Sequence, residues 1–559
     1  MAAAVAAADE AKLESFLRWL QANGADLRGC TIRSCGGGKG FGVFSTAAPE
    51  PGATDGVVLV VPLDLAITPM RVLQDPLVGP RCRALLEEGG VDDRLLVMLF
   101  LMAERRRPGS LWKPYLDMLP SNFGSSLWFS EEELAELEGT TLYRATVIQR
   151  KSLQSSFDEK VKGIVEELLH VDESASSTEV LFEDFLWANS IFWTRALNIP
   201  LPHSYVFPGS CGDQQTRTND DDVCDSSLPG HQETDITAKD STADKNSKSS
   251  NTESIWVEGL IPGIDFCNHN VKALATWEVD SVGNATGVPA SMYLMLADKS
   301  SVEAGAEIHI NYGNKGNEEL LYLYGFVVDN NPDDYLMVHY PVEALRQIQS
   351  ADIKMRLLEI QKGELRCLLP RSLLDNGFFG IHSGEDKDDK KNISPFSIYS
   401  WSGQRKVPSY LHKIVFPQEF LSTLRTIAMQ EHEIEQVASL LGEVGSSEDR
   451  EPSDAEIQSA IWEVCGDQGA LGLLVDLLRV KMAELEEGTG PEASDSQLLE
   501  QFYSLDSEDC TSGSDENNKD KSKINIRSCI IYRRGQKQLT RLFLREAEYL
   551  LELSGKEQT

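Results

Sequence analysis

No CxxC pair occurs among the ten cysteines of this 559-residue chain. That spacing argues against a structural zinc site. Scattered as they are, the cysteines also give no disulfide framework, which points to a reducing compartment. The nine histidines do not cluster, so no metal is expected. Positive charge is scarce as well: 52 Lys and Arg stand against 88 Asp and Glu, a net charge of −36. A phosphate-binding surface needs a basic footprint, so no direct nucleic-acid partner is expected. An acidic protein steers instead towards basic partners. The longest apolar run, LLVMLFLM at residues 95–102, is far short of a bilayer span, so no membrane partner is expected. The opening MAAAVAAADE lacks the basic region of a signal peptide and the arginines of a transit peptide. This reads as a cytosolic or nuclear protein, ahead of a chloroplast one.

What is present is enough apolar sequence to fold. Hydrophobic residues make up 41% of a chain too long for one core, so two or three domains are expected. DEAKLESFLRWLQANG carries Leu13, Phe16, Leu17 and Leu20 at helical spacing and ends on Gly24, a helix and its stop. The period then changes: CTIRS, GVFST and VVLVV read as short strands between glycine-rich turns. Residues from about 71 to 198 return to a helical pattern. DDRLLVMLFLMAERRR places acids first and arginines last, as the helix dipole favours. Ser130 and Glu133 have the spacing of a capping box. The stretch 209–254 has almost no aliphatic residues and cannot offset its ordering entropy, so a disordered loop is expected there. ATWEVD, MYLMLAD and AEIHINYG then read as strands, and the last third as mainly helical. Three polar stretches interrupt it, near 384–392, near 445–455 and over 484–523, all read as loops.

Three segments could carry chemistry. GGGKGFGVF at 36–44 has five glycines, which allow tight turns and close approach to a ligand. It matches neither a dinucleotide fingerprint nor a phosphate loop, and alone reads as a glycine-rich hairpin. GIDFCNHN at 263–270 holds Asp265, Asn268 and His269. Alone it reads as a polar turn, because Asp265 and His269 have no further ligand at metal-site spacing. IHINYGNKGNEELLYLYGF at 308–326 ends a strand at Tyr312 and starts a helix. A tyrosine there is, taken singly, a core residue with a satisfied hydroxyl.

Together and in this order, the three segments resemble the SET-domain protein methyltransferases. GFGVF is similar to the family's glycine-rich cofactor motif, DFCNHN to its Asn-His motif and NYG to its catalytic-tyrosine motif. NEELLYLYGF and the ending CIIYRRGQKQLTRLFLREAEYLL look like one subfamily, that of the Rubisco large-subunit lysine methyltransferases and the actin-histidine methyltransferase. The resemblance implies an α+β fold. A β-rich SET core of small sheets, with a threaded C-terminal segment, is split by a helical insertion and followed by an all-helical domain. The segments implied are 1–75 and 256–330 for the core, 76–255 for the insertion and 331–559 for a helical substrate-binding domain.

The same resemblance implies S-adenosylmethionine as cofactor and a protein substrate for a monomeric enzyme. Lys39, Phe41, Arg195, Asn268 and His269 would bind the cofactor. Asp265 and Phe326 would lie on the substrate side, with Tyr312 and Tyr324 catalytic. A lysine target on a non-histone protein is expected. The alternatives are a histidine target, or an inactive interaction protein that keeps the fold. Tyr324 favours lysine, since the histidine enzyme lacks tyrosine there. Three features depart from the pattern: Asn270 stands where Ser is usual, the polar stretch 209–254 is an addition, and the cysteine clusters of many histone methyltransferases are missing.

Overall fold

The computed structural model describes residues 2–36, 40–46, 56–170, 179–207, 254–297, 302–380, 408–448, 452–506 and 517–557. Lys39, the polar stretch up to residue 253 and the acidic stretch at 384–392 lie outside them. By contact the chain divides into two compact units. One is built from Val5–Pro120 and Glu159–Asn311, the other from Met1–Ala4, Ser121–Asp158 and Tyr312–Thr559.

The first unit carries small antiparallel sheets. Strands β1 (Cys30–Ser34), β2 (Phe41–Ser45), β3 (Val57–Pro62), β4 (Leu197–Pro202), β5 (Ser254–Gly259), β6 (Ala275–Asp280), β7 (Ser291–Leu296) and β8 (Glu307–Ile308) form it. They pair in the orders β1-β2-β8, β3-β7-β6 and β4-β5. The N-terminal helix Ala2–Ala22 buries Phe16 and Leu20 completely, at about 1.5–3 kcal/mol for each such side chain. Helix Asp93–Arg106 starts at Asp92, whose carboxylate accepts from Leu95 N at 2.7 Å, and it ends on Arg105 and Arg106. Its apolar run is buried against the helix Phe182–Arg195.

Two details were not visible in the sequence pattern. β4 and β5 pair along their whole length, Leu197 opposite Gly259 and Pro202 opposite Ser254. The polar stretch is therefore inserted within a hairpin. Pro200 and Pro202 hide β4, but a strand in a two-stranded pair tolerates residues that cannot donate. β8 is also only two residues long. Beyond it the chain pairs differently: Ile310 N donates to Asn268 O at 3.0 Å, and Asn270 N to Ile310 O at 3.1 Å. His269 and Ile310 thus form a parallel bridge.

The second unit is mainly helical, with one two-stranded pair, β9 (Tyr335–His339) against β10 (Arg366–Pro370). Helices Gln418–Ala428, Gln468–Glu486 and Asn517–Glu557 enclose its core, where Leu336, Leu369, Phe420, Leu471, Leu474 and Phe543 are fully buried. The capping box at Ser130 and Glu133 is formed. The stretch read as a loop over 484–523 instead holds a helix, Glu492–Asp506. Its support is tertiary. Asp495 is fully buried and accepts from Arg533 Nε and Lys537 Nζ, both at 2.7 Å. A helix held by buried charge pairs shows no strong apolar period of its own.

Candidate functional site

In the first unit, the turn Ile264–Phe266 follows Gly263 and is wholly buried. Asp265 has no exposed side-chain surface. Its Oδ1 accepts from Gly263 N at 3.0 Å and its Oδ2 from the Tyr115 hydroxyl at 2.6 Å. Arg195, at the C-terminal end of its helix, donates through Nη1 to Asp265 O at 2.9 Å and to Oδ2 at 3.3 Å. Its guanidinium also lies 4.7 Å from the Phe266 ring centroid. Burial pushes the Asp265 carboxyl up from its usual range, opposed by Arg195 and by the bonds from Tyr115 and Gly263. Burial, then Asp265, pushes the Tyr115 phenol well above its usual value. Burial also raises the Cys267 thiol far up, so this cysteine is packed and unreactive.

Asn268 ties the turn to the glycine-rich strand. Its Nδ2 donates to Glu307 Oε1 at 2.7 Å and approaches Cys35 Sγ at 3.4 Å. Gly42, in β2, lies directly against this group. A Cβ there would fall 2.7 Å from both Cys35 Sγ and Glu307 Oε1, and 3.1 Å from Asn268 Nδ2. Glycine lets the strand come this close without displacing either side chain. Phe41, next to it, is half-buried, as are Asn268 and His269. Among the described residues no group of three or more His, Cys, Asp or Glu is placed to hold a metal ion.

In the second unit, Tyr312, Tyr324 and Phe326 form an aromatic group. Tyr312 and Tyr324 have ring centroids 4.8 Å apart with planes inclined at 35°, and Tyr324 and Phe326 lie 6.2 Å apart. All three are half-buried. Burial, with Glu319 adding to it, pushes the Tyr324 phenol up to about 12, so it stays protonated. The short helix Asn317–Glu319 runs on into a wider π-turn, Leu320–Tyr324. Gly325 ends it in the left-handed region at φ +79°, where a Cβ would meet Gly124 C and Ser125 N at 2.6 Å. Asp334 holds the start of this helix, accepting from Asn317 N at 2.6 Å and from Asn317 Nδ2 at 3.1 Å.

The structure thus brings Asp265 together with Arg195, and Tyr312 with Tyr324 and Phe326. It joins Asn268 to the strand that carries Phe41 and Gly42. Asp265, expected on the substrate side, has its carboxylate enclosed in an internal network. Tyr115, Glu307 and Asp334 were missed by sequence reasoning. Tyr115 sits in an unremarked KPYL helix and meets Asp265 across 150 residues of chain, a separation that leaves no local signal.

No protein-family model matches the chain. It is 27% identical over 319 residues to a fructose-bisphosphate aldolase-lysine N-methyltransferase, chloroplastic, of Arabidopsis thaliana, covering 57% of this chain and 52% of that one. It is 26% identical to a ribulose-1,5 bisphosphate carboxylase/oxygenase large subunit N-methyltransferase, chloroplastic, of Pisum sativum, with the same coverage. It is 24% identical to an actin-histidine N-methyltransferase of Rhinolophus ferrumequinum, covering 58% and 43%. The chain spans about half the length of the curated relatives it matches. A crystal structure of the SET domain of LSMT bound to lysine and AdoHcy superposes with a TM-score of 0.58 at 19% identity, over 98% of this chain and 93% of that one. Rubisco LSMT bound to AdoMet gives 0.56 at 18%, over 98% and 92%. These likenesses establish the fold.

Proposed function

We propose that this chain, a SET-fold protein of the Rubisco large-subunit methyltransferase kind, is an S-adenosylmethionine-dependent protein-lysine N-methyltransferase with a non-histone substrate. One observation carries the reading. Asn268 of the Asn-His motif packs on Gly42 of the glycine-rich motif, so two of the three family motifs meet at one place.

The residues fit the cofactor. Arg195 has five N–H donors, and only its Nη1 is engaged among the described residues. The remaining edge matches a carboxylate, as on the methionine part of S-adenosylmethionine. Asn268 and His269 would hold the rest of that group, largely through the backbone, and the strand at Phe41 would flank it. S-adenosylmethionine, when bound, supplies a methyl group on a sulfonium.

The acceptor must be a neutral amine, whereas lysine ordinarily titrates near 10.4. An apolar surround disfavours the ammonium and lowers that value. The rings of Tyr312, Tyr324 and Phe326 supply such a surround in this reading. The Tyr312 hydroxyl orients the amine, a geometric role that does not require it to take the proton. Of the relatives named above, one acts on lysine by its name and one on histidine. Tyr324, packed against Tyr312, favours lysine.

Incubating the protein with labelled S-adenosylmethionine and a proteome extract, then mapping the label by mass spectrometry, tests the proposal. Methyl-lysine on a discrete protein is the expected result. Label on histidine alone would overturn the lysine assignment. No label, together with no calorimetric binding of S-adenosylmethionine, would overturn the enzyme.

A further inference from the structure

Arg195 is an unusual arginine. Its side chain is only 15% exposed, yet Nε and Nη2 make no hydrogen bond among the described residues. A guanidinium on a long stem is floppy, and an unused edge in a mostly buried setting is useful only if it is aimed. Aim here comes from behind. Nη1 is pinned by the carbonyl and the carboxylate of Asp265. That carboxylate can turn about its own bonds unless both oxygens are held. Gly263 N holds Oδ1 and the Tyr115 hydroxyl holds Oδ2.

Tyr115 itself cannot move easily. It is fully buried, with Phe16 at 6.1 Å and Phe266 at 6.5 Å between ring centroids, the second edge-on. Phe16 and Phe266 also pack on each other at 5.3 Å. The same Phe266 lies under the Arg195 guanidinium. One enclosed box therefore fixes the phenol, the carboxylate and one face of the guanidinium.

We propose that Tyr115 is a positioning residue for the cofactor, acting through Asp265 to aim the free edge of Arg195 at the carboxylate of S-adenosylmethionine. This rests on the cofactor reading above. It changes the part played by Asp265, from a substrate-side group to the middle link of a Tyr115–Asp265–Arg195 relay of orientation.

The bland alternative is that Tyr115 and Asp265 merely satisfy each other in the core, as buried polar groups generally do. The two roles differ in which ligand feels the loss. Calorimetry with S-adenosylmethionine and with decarboxylated S-adenosylmethionine, on wild type and Tyr115→Phe, separates them. Wild type should prefer the carboxylated ligand by on the order of 100-fold, the range for hydrogen bonds between charged groups. Tyr115→Phe should narrow that ratio roughly ten-fold by weakening the carboxylated ligand alone. Equal weakening of both ligands, or an unchanged ratio, would overturn the proposal and leave the cofactor reading intact. Equal wild-type affinity for the two ligands would overturn the proposal and the placing of the carboxylate on Arg195, while leaving cofactor binding itself intact. Failure of wild type to bind either would overturn both. Should Tyr115→Phe not give a cooperative thermal melt, Asp265→Asn takes its place, because it keeps the shape and removes the charge that pins Arg195. Its ratio should also narrow, and an unchanged or wider ratio would count against the relay.

Discussion

The two units hold their candidate side chains through different named contacts. In the first, Asp265 and Asn268 are held by hydrogen bonds to named partners: Tyr115, Gly263 and Arg195 for one, Glu307 and Cys35 for the other. In the second, Tyr312, Tyr324 and Phe326 rest on one another, and the polar brace stands one step back at Asp334 and Asn317. Hydrogen bonds set direction, whereas ring packing sets shape and dryness. A polar ligand with several charges needs the former, and an amine that must lose its proton needs the latter.

The sharpest way to break this contrast is at Tyr312. Tyr312→Phe keeps the ring and removes the hydroxyl, so the apolar surround survives while amine orientation is lost. Methyl transfer should fall about 100-fold, as for removal of one oriented donor from an active site. Calorimetric affinity for S-adenosylmethionine should stay as in wild type. Wild-type turnover by the purified variant would sink the catalytic assignment.

The two glycines compare the units directly. At Gly325 the obstructing atoms are backbone, and φ is +79°. Gly325→Ala should cost about 3 kcal/mol in chemical denaturation, from strain and overpacking together. At Gly42 the nearest obstructing atoms belong to side chains, which can give way. Gly42→Ala should cost only about 1 kcal/mol of stability, while weakening cofactor binding through Asn268. If Gly42→Ala proved the costlier of the two, the contrast between rigid and yielding surroundings would be wrong.

Between these effects lies a pH dependence. Burial pushes the Asp334 carboxyl up to about 6, against the pull of Asn317 and Arg371. In the unfolded chain it returns to about 3.9. The folded state therefore keeps this proton longer. The contribution to stability is full below about pH 4 and is lost as pH rises through about 6, with a slope of up to about 1.4 kcal/mol per pH unit. Melting curves of wild type and Asp334→Asn across that window should differ in slope in this sense. Parallel curves would show that Asp334 does not titrate there.

Much of the fold was legible because local chemistry decided it. The first helix with its Gly24 stop, β1 to β3, and the Ser130–Glu133 box needed no distant partner. The β4-β5 hairpin was not legible, because two prolines mask β4 and its partner lies past a long insertion. The helix Glu492–Asp506 was missed because its decisive contact, Asp495 with Lys537 and Arg533, is tertiary. The same division runs through the site. Asn268, His269 and Tyr312 stand in short motifs, whereas Tyr115 and Glu307 matter only through what they touch.

The π-turn at Leu320–Tyr324 has a consequence for phase. A helix advances about 100° per residue, and a π-turn accommodates one residue more than an α-turn would. Asn317 is clamped at one end by Asp334, and Tyr324 is packed at the other against Tyr312. The extra residue sets the angle between those two commitments. Removing a single residue from 320–323 would let the turn tighten to an ordinary α-helix with nearly the same angle between the two, whereas adding one would swing the Tyr324 ring about 100° off its partner. The aromatic group is therefore tuned by residue count as well as by residue type, and this stretch should tolerate conservative substitution better than an insertion.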